Sequence, residues 1–126
     1  MGEDGGMSGA QGLPWGTQWD LLRAADESVA WDSFRVTLGF QEGRAGGKAP
    51  VNNYFGVCRE DAPGEVTLGP LGMTMMAGPP EAMAAEMAYM KLLEEVRRFV
   101  VGDDLLTLLD ASGGSLLVFV PSADPV

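Results

Sequence analysis

Residues 73–98 read MTMMAGPPEAMAAEMAYMKLLEEVRR, and within them the spacing of apolar side chains changes. Ahead of Pro79 the chain alternates as a half-buried strand does. Beyond it Ala82, Ala85, Tyr89, Leu92, Leu93, Val96 and Val100 gather on one side at about 100° per residue, with Lys91, Glu94, Glu95 and Arg98 on the other. The segment from Pro79 to Arg98 is therefore expected to form an amphipathic helix. Pro79 and Pro80 suit its first turn and Glu81 the positive end of its dipole, while Arg97 and Arg98 suit the negative end.

Outward from this helix the sequence reads as strands. In GTQWDLLRA, Trp19 and Leu21 alternate with polar neighbours. SFRVTLGFQ puts Phe34, Val36, Leu38 and Phe40 on one face, the cleanest period of two in the chain. EGRAGG is expected to be a glycine-rich turn after that strand. NNYFGVCRE reads as a further strand with a bulge at Gly56, EDAPGE as a turn, and EVTLGP as another short strand followed by LGMTMM. LLTLLD and SLLVFVP close the chain as two strands joined by ASGG.

About seven short strands and one helix predict an α+β, mainly β fold. Its antiparallel sheet would curl into a partial barrel with the amphipathic helix packed on it. Residues 1–13, rich in glycine, are expected to be a disordered tail, residues 14–121 one domain, and residues 122–126 a loose end.

Composition narrows the function. With 126 residues and 46% hydrophobics the chain can bury a single core. Eighteen acidic against eight basic residues give a net charge of -10, which repels nucleic acid and anionic lipid. The acidic residues are scattered, as on a solvated surface. Histidine is absent, which excludes a histidine-dependent triad and an ordinary zinc site. The single cysteine, Cys58, reads as a half-buried strand residue. No apolar run approaches the roughly eighteen residues that span a bilayer, so no membrane insertion is expected. The opening residues carry acid and glycine where a secretory signal needs a basic start and an apolar run, so none is expected in this sequence.

Local motifs offer little chemistry. EGRAGGK lacks the spacing of a phosphate loop, and ASGGS does not sit on a strand-to-helix elbow, so Ser112 and Ser115 are not expected nucleophiles. Asp103, Asp104 and Asp110 lack the loop of a calcium site. Six of the eight methionines, at 73, 75, 76, 83, 87 and 90, crowd the opening stretch. Thioethers suit Cu(I), yet a methionine stripe at helical spacing is ordinarily core packing. Packing is the expected reading, with a soft-metal or small-ligand site using Met73, Met75, Met83, Met87 and Met90 as the alternative. Glu86 is unusual because it lies at the margin of the apolar face, where a carboxylate must find donors. Asn52, Asn53 and Thr74 are the expected partners, in a hydrogen-bonded anchor rather than a catalytic group.

Taken in order, VNNYFG, VTLGPLGMTMMAGPPEAM, EMAYMKLLEEV and LLTLLDASGGSLLVF resemble the META domain family, the HslJ-like family of bacterial heat-inducible lipoproteins. The matching positions are Asn52, Asn53, Tyr54, Phe55 and Gly56, then Thr74, Met76, Ala77 and Pro79, then Met83, Glu86, Tyr89 and Leu93. The resemblance extends over residues 15–120 and implies a β-rich fold with one helix. It also implies a bacterial, stress-related setting at the cell envelope or periplasm, and no established reaction. Two cysteines that recur in the family would fall at Val51 and Gly78. Their joint absence suggests a structural or redox support that this chain does without.

The expected protein is a non-enzymatic META-like interaction module with no cofactor, no metal and no catalytic residues, monomeric, with another protein as its partner. Exposed sheet edges and a helix face would serve that contact. Asn52, Asn53, Tyr54, Gly56, Thr74, Met76 and Glu86 form its candidate structural or binding motif.

Overall fold

The computed structural model describes residues 12–122, and the expected tails lie almost wholly outside them. Packing begins at Leu13, which is buried beside the core one residue ahead of the expected start. Eight strands follow: β1 (Gln18–Ala24), β2 (Thr37–Gln41), β3 (Arg44–Lys48), β4 (Asn53–Ala62), β5 (Glu65–Met73), β6 (Arg98–Val101), β7 (Leu106–Leu109) and β8 (Ser115–Pro121). One helix, α1 (Pro80–Glu95), connects β5 to β6. A short 3-10 turn spans Trp31–Ser33 between β1 and β2.

Each strand pairs antiparallel with the next, and β1 returns to β8, so the sheet rings round on itself. The ring is uneven. Nine-residue β5 meets β6 at the single pair Glu65 and Arg98, supported by Val66 N–H to the Arg97 carbonyl and Phe99 N–H to the Gly64 carbonyl. The long crossover through α1 enters at this thin seam. Elsewhere closure satisfies the edges that an open sheet would leave unpaired. The sheet edge expected to serve a partner is narrowed to β5 beyond Val66, which among the described residues has no strand partner on its β6 side.

The alternation in SFRVTLGFQ does what its period requires. Val36, Leu38 and Phe40 are buried inside the ring, although the strand itself starts only at Thr37 and Phe34 is half-buried. Inside they meet Tyr54, Cys58, Val66, Leu106, Leu108, Leu117 and Phe119 in one cluster. From α1 come Tyr89 and Leu93, followed by Val96 at its end. Tyr89 stands edge-on to both Tyr54 and Trp31.

Two readings of local structure change. EGRAGG is not a turn beyond Glu42 and Gly43, because Arg44–Lys48 is strand β3. Its glycines are there for close approach: a Cβ at Gly46 would stand 2.6 Å from the Tyr54 carbonyl oxygen, so the flanking strands could not pair as they do. Helix α1 also ends earlier than its periodicity suggests. Val96 is extended, Arg97 donates to the carbonyls of Glu94 (2.9 Å) and Val96 (2.7 Å), and Arg98 and Val100 belong to β6, where Val100 is exposed. The periodicity runs on past the helix because Val100 of β6 falls at helical spacing from Leu93 and Val96 by coincidence.

Candidate functional site

Four pieces of the chain meet beside the first turns of α1: the loop before β4, the start of β4, the segment after β5, and the helix itself. Glu86 sits at the margin of the apolar helix face, as its spacing requires, and is nevertheless buried, with 1% exposure. One carboxylate oxygen accepts the backbone N–H of Val51 at 2.8 Å and of Asn52 at 2.6 Å. The other accepts the Asn52 side-chain amide at 2.7 Å. Burial pushes the Glu86 carboxyl up, but these donors and the charge of Lys48 outweigh it and hold it below its ordinary value.

Asn52 then passes the connection on. Its amide nitrogen also reaches the Met76 carbonyl at 3.1 Å, and its oxygen accepts the Met76 N–H at 2.6 Å and the Thr74 hydroxyl at 2.9 Å. Thr74 Oγ1 in turn accepts the Asn53 N–H at 3.1 Å. Asn52 thus stands in for a strand neighbour along residues 74–76, which have left the sheet after Met73. A buried polar group must be paired to be tolerated, and here every donor and acceptor of Asn52 has a partner.

Of the expected motif, Asn52, Thr74, Met76 and Glu86 come together, with Met76 contributing its backbone. Asn53 joins through Thr74 and not through Glu86. Tyr54 belongs to a second network, where its hydroxyl donates to the Thr37 carbonyl at 2.6 Å and so accepts from Tyr89 at 2.6 Å. Burial raises both phenols above their ordinary range. Gly56 lies elsewhere, at the register shift between β4 and β5, where a Cβ would stand 2.3 Å from the Pro70 carbonyl oxygen. The two backbone N–H donors to Glu86 escaped sequence reading, since any residue carries one.

Two further groups settle as structure. Cys58 is buried rather than half-buried, and burial, with Glu60 and Asp61 nearby, pushes its thiol up to about 12. Asp110 caps its own hairpin, accepting from Ser112 N–H, the Ser112 hydroxyl and Gly114 N–H. Among the described residues no group of three or more Cys, Asp or Glu side chains could hold a metal ion, and no helix is long and apolar enough to cross a membrane.

The packing expectation holds for only some of the methionines. All six line one apolar groove of about 430 Å³, between α1 and residues 73–77, whose floor reaches Asn52 and Glu86. Only Met73 and Met90 touch the core, from its margin. Met75 is 92% exposed, Met87 73% and Met76 54%, so their side chains are not spent on packing. The strand expected to aim Met75 stops at Met73, and the Asn52 anchor holds the following residues as the groove wall instead. The opposite flank of α1 borders a cleft of about 670 Å³ walled by Phe34, Ala84, Ala85 and Ala88, without comparable chemistry.

The titrations give a pH profile. Glu86, Asp26, Asp61 and Asp110 all sit below their ordinary values, so the stability they contribute is complete above the carboxylate range and lost as pH falls through the folded values. Cys58, Tyr54 and Tyr89 are raised, so above about pH 9 the unfolded chain releases protons that the folded chain keeps. Urea unfolding should therefore show a plateau near neutrality, where no histidine titrates. Stability should decline below about pH 4 and above about pH 9, the alkaline limb steepening by about 1.4 kcal/mol per pH unit for each retained proton. Cys58→Ala should flatten the first part of that limb, and an unchanged limb would refute the assignment.

The structure thus defines a small antiparallel β-ring, crossed between its fifth and sixth strands by one helix anchored on a buried Glu86–Asn52 pair. The META domain family model matches residues 11–123, and the chain belongs to that family. A solution structure of a protein from Burkholderia xenovorans is 25% identical with a TM-score of 0.68, over 87% of this chain and 84% of that one. A crystal structure of a duf4847 family protein from Bacteroides vulgatus shares the fold at 10% identity, with a TM-score of 0.62 over 86% of this chain and 94% of that one. No curated protein matches.

Proposed function

We propose that this META domain is a non-enzymatic binding module whose working surface is the methionine groove, and that it docks an apolar stretch of a basic, amphipathic protein partner. The observation that carries the reading is a groove walled by six methionines, three of them more than half exposed. Unbranched thioethers adapt to irregular apolar surfaces, as promiscuous binding surfaces require. A net charge of -10 favours a partner with basic residues flanking its apolar face.

Several features argue against an enzyme. The thiol is buried with a raised pKa, the one buried carboxylate among the described residues is committed to three donors, and the hairpin serine is held by Asp110. Closure of the sheet disfavours strand exchange between copies, in keeping with a monomer. The stress-related, envelope-associated setting implied by the resemblance to heat-inducible lipoproteins is part of the same proposal.

A synthetic peptide of leucine and lysine at helical spacing tests it. Binding should be saturable, shift the methyl signals of Met75, Met83 and Met87, and weaken by about tenfold in Met87→Gln. That variant keeps the charge and, at an exposed helix position, should change stability by less than about 0.5 kcal/mol. Equal binding to the variant, or shifts confined to the ring's outer face, would rule the groove out.

A further inference from the structure

We infer that the helix wall of the groove is also a site for a soft monovalent cation of the Cu(I) class, held by the thioethers of Met83, Met87 and Met90 with one sulfur from residues 73–76. This goes beyond partner docking, because it asks what sulfur adds to an apolar surface. Leucine would give the helix the same propensity and the groove similar area. What distinguishes these positions is the donor atom.

Geometry supports the assignment. Met83, Met87 and Met90 follow one another at four and three residues on α1, the spacing that makes helix side chains neighbours, with Cβ atoms about 5–6 Å apart. Each side chain has three rotatable bonds, enough to swing adjacent sulfurs onto one ion. Residues 73–76 face them across the groove, held in place by the two Asn52 contacts to the Met76 backbone and one to Thr74. Exposure of Met75 and Met87 means that no core contact has to break for either sulfur to turn.

Chemistry selects the ion. The wall offers neutral, soft donors, and the only buried carboxylate there, Glu86, already accepts from three donors of Val51 and Asn52. Hard ions such as Mg²⁺ or Ca²⁺ therefore find no oxygen cage, while thioethers suit Cu(I). Two carboxylates, Glu86 and Glu94, against one ammonium, Lys91, line the groove, so its field favours a cation. Binding is simple coordination, with no change of oxidation state.

The test uses Ag(I), a redox-stable probe of Cu(I) sites, added in chloride-free buffer to protein carrying ¹³C-methyl methionine. Signals of Met83, Met87, Met90 and at least one of Met73, Met75 and Met76 should move together and saturate near about one equivalent. Cu(I) under anaerobic reducing conditions should reproduce the pattern. In the Met83→Leu, Met87→Leu, Met90→Leu triple variant, affinity should fall by at least about tenfold with the metal-free melting temperature preserved. Because leucine keeps the wall apolar, peptide docking should survive there, which separates failure of this site from failure of the docking surface. Absence of a saturating shift, shifts confined to Met1 and Met7, or undiminished affinity in the triple variant would each overturn it.

Discussion

Replacing Glu86 by alanine should lower the free energy of unfolding by about 3 kcal/mol, with no change in the dependence on urea concentration. The loss comes less from the missing carboxylate than from what it leaves behind. Two backbone N–H groups, of Val51 and Asn52, lose their acceptor, and the Asn52 amide nitrogen keeps only its longer contact to the Met76 carbonyl. A buried unsatisfied donor costs about 1–3 kcal/mol, moderated here because Glu86 borders the groove and water can enter from it. Glu86→Gln should recover only part of the loss, since an amide meets three donors with a single acceptor oxygen. Hydrogen exchange at residues 49–53 should accelerate in both variants, because Ala49 N–H depends on the Asn52 carbonyl in the same loop. A cost below about 1 kcal/mol for Glu86→Ala would mean that the anchor is ornamental to stability.

The second large effect is a gain. In Val51→Cys, Gly78→Cys, oxidation should form a disulfide and stabilise the fold by about 3 kcal/mol relative to the reduced form. The two positions face each other across the loops that the anchor brings together. A Cβ built at Gly78 lies 3.6 Å from Val51 Cβ and 2.9 Å from one of its methyls. Disulfides span Cβ separations of about 3.5–4.5 Å, so the backbone is already placed. The same distances explain the pairing present here. Valine's two methyls fill the space over a residue without a side chain, so Gly78→Cys or Gly78→Ala alone should crowd Val51. Cys58, buried with a thiol pushed up to about 12, should not compete for oxidation. The readout is the urea midpoint with and without reductant, together with a thiol count. Failure to oxidise, or equal midpoints, would mean that the two loops are not held at this separation.

Both results bear on the short motifs shared with the family. Asn52, Thr74, Met76 and Glu86 lie in three segments separated by up to 34 residues, and they meet because a side-chain amide replaces strand pairing where β5 ends. The motif holds the groove wall in place.

The fold class was legible wherever periodicity acts locally. Val36, Leu38 and Phe40 had to face inward once their strand formed, and Ala82, Ala85, Tyr89 and Leu93 had to share one helix face. Glycine was a good guide to turns and a poor one within EGRAGG. Gly43 and Gly64, with φ of 81° each, mark real two-residue turns, whereas Gly46 and Gly47 permit close strand approach and sit inside β3. The end of α1 was hidden as well, because Val100 happened to continue its spacing.

The sequence by itself determined a mainly β domain with one amphipathic helix, an acidic surface and no histidine chemistry, since these follow from composition and from contacts between near neighbours in the chain. Only the tertiary structure decided that β1 closes onto β8, that Glu86 at the margin of its helix face is buried, and that the methionines line one groove with three of them exposed. Each of those depends on which distant segments meet, and a side chain's burial is set by what lies opposite it, which no local pattern encodes.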